Sequence, residues 1–360
     1  NYMIKTYEKY LITLFLKKFL NISLIFLALV FILSIFDEIT FFQKLDVKFF
    51  FPFLMTALNS LSTLFEIFPF IFLITAQFFF IELINKNELE VLKFNGLNNI
   101  KIIKIIFFTS FLIGLFLITI FYSFSSKLKF IYLDLKNSYS NDNKYLAIVT
   151  ENGLWIKDEI DQKIYIINAQ RMEEEYLNEV SIAEFNLNFE LVRLILSKRV
   201  DISNNNWKII NPKISKDNKT TNMENYNLLT HFNKDKINSL FRNLSSLNIT
   251  QLMKLNSDYK ELGYSTIEIK SHLSKLSSFP FYVSIMAVLS SVIMLNIKRN
   301  KPIIVHIILG IFLSVTIYYF YFLFNLFGLN AKVPLVLSTW LPLLMLTFLI
   351  SIGLVRLNEK

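Results

Sequence analysis

Residues 102–124 read IIKIIFFTSFLIGLFLITIFYSF, an apolar run whose only charge, Lys104, sits near its start. An α-helix needs about 20 such residues to cross a hydrocarbon core roughly 30 Å thick. The pattern then breaks: from Ser125 Lys, Asp, Asn and Ser return, and they persist to residue 272. A membrane helix opening into a long polar insert decides the fold. Working outward, comparable apolar runs cover Leu20–Phe36 and Pro52–Leu83 before it, and Phe279–Ile297, Ile303–Phe327 and Pro334–Val355 after it. Three spans, an insert and three spans give an α-helical polytopic membrane protein of six transmembrane helices with an inserted all-β domain. Of the 360 residues 54% are apolar and only 18% are charged, with 38 Phe and 7 Gly. A soluble domain carries roughly a quarter charged residues.

The same composition excludes several activities. With no Cys, disulfides, thiolate nucleophiles, zinc ribbons and iron–sulfur ligation are out of reach. His231, His272 and His306 lie too far apart in sequence for a local metal motif, so no metal and no cofactor are expected. Every Gly is followed by Leu, Tyr or Ile, so no phosphate-binding Gly-Lys loop exists, and any ATP hydrolysis must come from another chain. The net charge is +9, but residues 125–272 hold 20 Lys/Arg against 19 Asp/Glu, so the excess sits in the membrane part. That location indicates topology and argues against nucleic acid as a partner.

Orientation follows from the short loops. One side collects Lys5, Lys9, Lys17, Lys18, Lys86, Lys93, Lys101, Lys104, Lys298, Arg299, Lys301, Arg356 and Lys360; the other has Lys44, Lys48 and Lys332. The positive-inside rule places both termini in the cytoplasm and the insert outside it. Within Met3–Lys18 the lysines interleave with Tyr7, Tyr10, Leu11 and Phe15, which suits an interfacial helix leading into span one. No small-residue cleavage site follows, so a removable signal peptide is not expected. The second run is too long for one straight crossing. Its polar Asn59, Ser60, Ser62 and Thr63 predict a first part lying along the outer interface, and Pro69 predicts a kink.

In the insert, Tyr145–Val149, Leu154–Ile156, Ile164–Ile167, Val180–Phe189, Leu191–Val200 and Trp207–Ile210 are short apolar stretches split by polar turns. Alternation at Ile164 and Ile166, and at Phe185, Leu187 and Phe189, predicts strands of a sandwich or open barrel. Helix returns from Ile249 to Ser278, with Leu252, Leu255, Tyr259 and Leu262 on one face and a stop at Gly263. The domain boundaries expected are 1–124, 125–272 and 273–360.

Ionisable residues inside spans are functional candidates by default. Here they are Glu66, expected at the wet outer end, and Glu82 and His306, expected near the inner headgroups. They do not converge as an intramembrane catalytic group would, so the chain is not expected to be an enzyme. The loop Asn85–Lys101 is more specific. Asn87 is placed to cap a helix near 86–96, Glu88 and Glu90 suit its positive end, Leu89 and Leu92 share a face, and Gly96 ends it. Such an acid-first helix serves as a docking peg for a soluble partner or is an ordinary solvated loop.

Asn87-Glu88-Leu89-Glu90-Val91-Leu92-Lys93-Phe94-Asn95-Gly96 resembles the coupling helix of the lipopolysaccharide export permeases of the LptF/LptG family, with Asn87 where that family has Ser. Gly153-Leu154-Trp155-Ile156-Lys157-Asp158, followed by Ile164-Tyr165-Ile166, is similar to the first strands of the family's periplasmic domain, on its LptG branch more than its LptF branch. Tyr259–Gly263 and the lead from Lys275 to Pro280 also match, and the likeness covers essentially the whole chain.

The resemblance implies half of an ABC-transporter membrane unit in the inner membrane of a Gram-negative bacterium, without an ATPase site of its own. Its partners would be a paralogous LptF-like permease, a cytoplasmic LptB-like ATPase dimer, periplasmic LptC-like and LptA-like bridge proteins, and lipopolysaccharide. The inserted domain would be a periplasmic β-jellyroll. The implied ATPase-docking residues are Glu88, Leu89, Glu90, Leu92 and Gly96. Phe26, Phe31, Phe312, Tyr318, Tyr319 and Phe322 on spans one and five supply an acyl-chain cavity or, in the plainer reading, lipid-facing and packing surface. Trp155, Ile164, Ile166 and Phe185 would line the periplasmic lipid path. Two alternatives stay open: the permease of another lipid or lipoprotein exporter, and a non-transporting scaffold for a periplasmic β domain.

Overall fold

The computed structural model describes residues 5–139 apart from 44 and 46, residues 154–234 apart from 161–162, 174, 188 and 217–218, residue 237, and residues 243–261, 265–296 and 302–358. The expected strand Tyr145–Val149 lies outside these residues, as do Leu262 and Gly263. The chain divides into two compact units. One comprises Asn1–Tyr132, Leu244–Leu252 and Ile267–Lys360, the other Leu133–Asn243 and Met253–Thr266.

The first unit is helical. Its helices are α1 (Thr6–Phe42), α2 (Phe51–Asn85), α3 (Glu88–Phe94), α4 (Asn99–Phe116), α7 (Ile267–Leu295), α8 (Ile303–Leu329) and α9 (Leu335–Asn358). A π-helical turn at Leu117–Phe121 joins α4 to α5 (Tyr122–Ser138), and α6 spans Ile249–Glu261. Six of these helices are long and apolar enough to cross a bilayer, the third being the continuous Asn99–Lys136 segment.

The expected N-terminal helix and span one run together as one helix of 37 residues, α1. One expectation is corrected here. The second run forms one helix of 35 residues through Pro69, with no turn out of the interface. Its polar residues face inward: Thr56, Ser60 and Ser62 are buried. Thr56 and Ser60 donate to the carbonyls of Pro52 and Ala57, at 2.8 and 3.0 Å. A hydroxyl that bonds its own helix carbonyl carries no unmet polarity, so short polar side chains go where close packing needs small volume.

The core of this unit is α2 and α7. In their most apolar windows 78% of α7 and 67% of α2 is buried, against 22% of α1 and 17% of α8. Rings fill the contacts: Phe65 stacks on Phe279 at 4.6 Å, and Phe19 meets Phe72 at 4.9 Å. At Gly114 α4 crosses α7 so closely that a Cβ would come within 2.8 Å of the Pro280 backbone.

Among the described residues of the second unit, eight strands make one antiparallel sheet: β1 (Leu154–Ile160), β2 (Lys163–Glu173), β3 (Tyr176–Phe185), β4 (Leu191–Asp201), β5 (Asn206–Ile210), β6 (Lys213–Lys216), β7 (Lys219–Asn222) and β8 (Asn225–Leu229). The order is β1-β2-β3-β4-β5-β8, with β6 paired to β4 and to β7. β4 is therefore flanked on one side by two short strands in succession, bent at Asn211 (φ 47°) and Pro212. β6 to β8 escape the sequence pattern because they are largely exposed and polar. Phe189, read above as part of a strand, instead has φ 60° in the β3–β4 turn, and Leu187 lies in that turn too.

One face of the sheet packs a closed core that includes Ile156, Ile167, Ile182, Ile195, Trp207 and Phe232, each at most 1% exposed. The Trp207 indole donates to the Phe232 carbonyl at 2.8 Å, so its one polar group is satisfied. Glu184 is on this face and 1% exposed. It accepts from Arg193 Nε and from Lys163 Nζ, the latter at 3.0 Å, and its charge holds the Lys163 ammonium above the usual lysine range. Arg193 in turn donates to the Tyr226 hydroxyl at 2.7 Å. Breaking a buried pair leaves an uncompensated charge. Arg193→Ala is expected to lower the stability of the β unit by about 2 kcal/mol, since Lys163 stays in place. Urea unfolding of the solubilised protein followed through Trp207 fluorescence measures it, and an unchanged midpoint would refute it.

Candidate functional site

The loop between spans two and three folds as the sequence expects, into the two-turn helix α3 over Glu88–Phe94. Asn87 occupies the N-cap position with φ 55° but its side chain makes no capping bond. The stop is well defined. Gly96 has φ 84°, its N–H donates to the Lys93 carbonyl at 3.0 Å, and the Leu97 N–H donates to Leu92 at 3.1 Å. This paired closure needs a left-handed residue just past the helix, which Gly adopts without strain.

Leu89 and Leu92 share one face of α3, as expected. Leu89 is buried and Leu92 half-buried, so they seat the helix on its own unit, where α3 packs against α2. The outward apolar residues are Val91 and Phe94, 56% and 89% exposed, beside exposed Glu90. Sequence reading missed them because Val91 and Phe94 fall off the Leu89/Leu92 stripe.

Glu88 also has a partner within the chain: the Tyr10 hydroxyl donates to its carboxylate at 2.6 Å. In the last turn of α2, Glu82 pairs with both Lys18 of α1 and Lys86, the latter at 2.7 Å. The start of α1, the end of α2 and α3 are thus clasped by two polar links, one of them between residues 78 apart in sequence. Nothing local in the sequence signals that pairing. Glu66 is exposed, and His306 is buried, its carbonyl accepting from the Gln77 side chain at 2.9 Å where α8 crosses α2.

The six aromatic residues proposed for an acyl chamber lie on the two least buried spans. Phe312, Tyr318, Tyr319 and Phe322 on α8 are 45–68% exposed, while Phe26 and Phe31 on α1 are half-buried. Phe26 sits edge-on to Phe70 at 5.4 Å. α1 and α8 each pack on α2, but among the described residues no ring contact joins the two aromatic sets.

The four residues proposed for the lipid path share one face of the sheet, the one opposite its packed core. Ile164 pairs with Phe185, Ile166 with Ala183, and Trp155 with Asn168, and directly paired residues point the same way. Ala183 and Ser181 continue the rows to Leu194 and Leu196 on β4. Trp155 is 56% exposed and Leu196 43%, with Ile166 and Phe185 half-buried and Ile164 buried. This sheet carries apolar residues on both faces, one closed and one open.

Among the described residues, six helices long and apolar enough to cross a bilayer, an inserted antiparallel sheet and a short acid-first helix between spans two and three are the frame of a multi-pass membrane protein. Residues 9–356 match the family Lipopolysaccharide export system permease LptF/LptG, and the chain belongs to that family. It is a multi-pass inner-membrane permease of the lipopolysaccharide export ABC transporter, in a family whose ATP is hydrolysed by a separate subunit. No curated protein matches the chain.

The clasp yields a test. Tyr10→Phe removes one hydrogen bond to a charged acceptor that is partly exposed, at a cost of about 1 kcal/mol. Amide exchange across Glu88–Phe94 should then quicken about fivefold. Unchanged exchange would show that the bond does not hold α3.

Proposed function

We propose that this chain is the LptG-like half of a permease pair, with both termini cytoplasmic and residues 125–272 in the periplasm, between membrane parts 1–124 and 273–360. The single observation that carries the reading is the unequal burial of its spans: α1 and α8 are among the most apolar helices yet are covered least by their own chain. Bare apolar helices call for a partner or a lipid. A paralogous subunit meeting these two faces would create a chamber walled by α1 of one chain and α8 of the other, and acyl chains need such an apolar wall.

Energy would enter through α3. We assign its outward Glu90, Val91 and Phe94, with Glu88 at their edge, to an LptB-like ATPase dimer, Leu89, Leu92 and Gly96 holding the helix in shape. Because Tyr10 on α1 bonds Glu88, a displaced α3 pulls on the helix that lines the chamber. Lipopolysaccharide taken from the outer leaflet would then pass along the open face of the sheet, over Trp155, Ile166 and Phe185 beside Ile164, toward LptC-like and LptA-like bridge proteins. The chain itself supplies surfaces and no catalytic group.

Three outcomes follow. A photo-crosslinker at Phe312 or Tyr319 should capture lipopolysaccharide in the full complex, whereas one at Phe348, 69% exposed on α9, should not; equal capture would mean simple lipid contact. Phe94→Ala should weaken retention of the ATPase about tenfold, aromatic anchors being typical of such interfaces; full retention would remove α3 from the docking surface. Protease added to spheroplasts should cut the exposed turn at 203–205 and spare the α3 loop; the reverse pattern would invert the topology.

A further inference from the structure

A cleft of about 450 Å³ opens between the beginning of α1 and the beginning of α4, lined by none of the residues assigned a role above. Tyr7, Glu8 and Ile12 line it from α1, and Lys101, Lys104, Ile105, Phe108, Thr109 and Leu112 from α4. On α4 the spacing 101, 104/105, 108, 112 is one helical stripe, so two ammonium groups stand at one end of a continuous apolar track. Leu112 lies about 12 Å deeper along the helix than Lys104, at 1.5 Å per residue.

The charges at the mouth are unbalanced. Among the described residues neither Lys101 nor Lys104 makes an ion pair. The one acid in the lining, Glu8, is turned onto its own helix end: it accepts the Lys5 backbone N–H at 3.1 Å and the Tyr7 hydroxyl at 3.4 Å. Deeper down, Phe108 and Leu112 are 62% and 65% exposed, on a helix that crosses the membrane. The cleft is thus cationic where a headgroup lies and apolar and open where an acyl chain lies.

We infer that this cleft between α1 and α4 holds one anionic glycerophospholipid, its phosphate on Lys101 and Lys104 and an acyl chain along Ile12, Ile105, Phe108 and Leu112. The topology proposed above puts it in the cytoplasmic leaflet, beside the α1–α3 clasp; the binding chemistry does not depend on that assignment. A free anion would use the lysines and leave the track empty, and a neutral lipid would use the track and leave the lysines unmatched. Each lysine close to an anionic headgroup contributes a modest, separable share of the attraction.

Native mass spectrometry of the full complex, given phosphatidylglycerol and phosphatidylcholine of the same chain length, tests the inference without ATP or lipopolysaccharide. Its failure therefore leaves the export reading standing, and failure of that reading leaves the lipid site standing. Wild type should retain phosphatidylglycerol preferentially. Lys101→Gln with Lys104→Gln should lower that retention about tenfold, and the double Arg variant should keep it. Leu112→Trp, which fills the track and spares both lysines, should also lower it, so a folding failure of the Gln pair would not leave the matter open. Equal retention of the two lipids, retention unchanged in the Gln pair, or displacement by millimolar inorganic phosphate would each overturn the site.

Discussion

Close packing of α7 against α2, α4 and α9 is the constraint on which the membrane unit depends. Apolar residues gain nothing by leaving lipid for other apolar residues, so helices in a bilayer hold together by van der Waals fit and hydrogen bonds. This chain meets that demand with small residues. Ser278, Ser284, Ser290 and Ser291 on α7 are fully buried. Gly114 of α4 faces Pro280 and Val283, and Gly353 of α9 faces Val292, at distances where a Cβ would collide. Ser284 and Ser291 remain cheap to bury because they return their hydroxyls to the carbonyls of Pro280 and Ala287, each at 2.7 Å, whereas the Ser290 hydroxyl is buried without a hydrogen-bond partner.

What that packing leaves outside is as important as what it encloses. With α2 and α7 committed to the centre, α1 and α8 rest on the periphery by one side each. α8 packs on α2, α7 and α9, and its contacts include the Gln77 side chain on the His306 carbonyl, Ser271 on Asn325 at 2.8 Å, and Tyr282 stacked on Tyr321 at 5.0 Å. At Gly310 a side chain would fall on the Gln77 amide, so this crossing tolerates no added bulk. α1 carries the complementary feature, a polar clasp to α2 and α3 at its beginning.

The sheet solves a related problem in water. A single sheet with apolar residues on both faces must cover one of them, and here the side bearing Trp207 and Ile182 is closed while the side bearing Trp155 and Leu196 stays open. The polar end of the core, where Glu184 is matched by Arg193 and Lys163, bears on one face only.

Length and local pattern were enough to determine the six spans, the antiparallel insert, and the short helix ended by Gly96, because each depends on residues close in the chain: run length against bilayer thickness, alternation against the pleat, a left-handed residue against a helix end. Only tertiary structure decided which way those elements face. Leu89 turned inward and Phe94 outward, Ser60 and Ser62 went into the bundle and not to the interface, and α2 continued through Pro69 without a break. Trp155, Ile164, Ile166 and Phe185 fell on the side of the sheet opposite its closed core, and Glu88 met Tyr10 from 78 positions away. The physical reason is that an element's existence is settled by its own covalent neighbours, whereas the direction it presents is settled by the volumes and hydrogen-bond partners that distant segments bring to it, and those are fixed only when the helices pack.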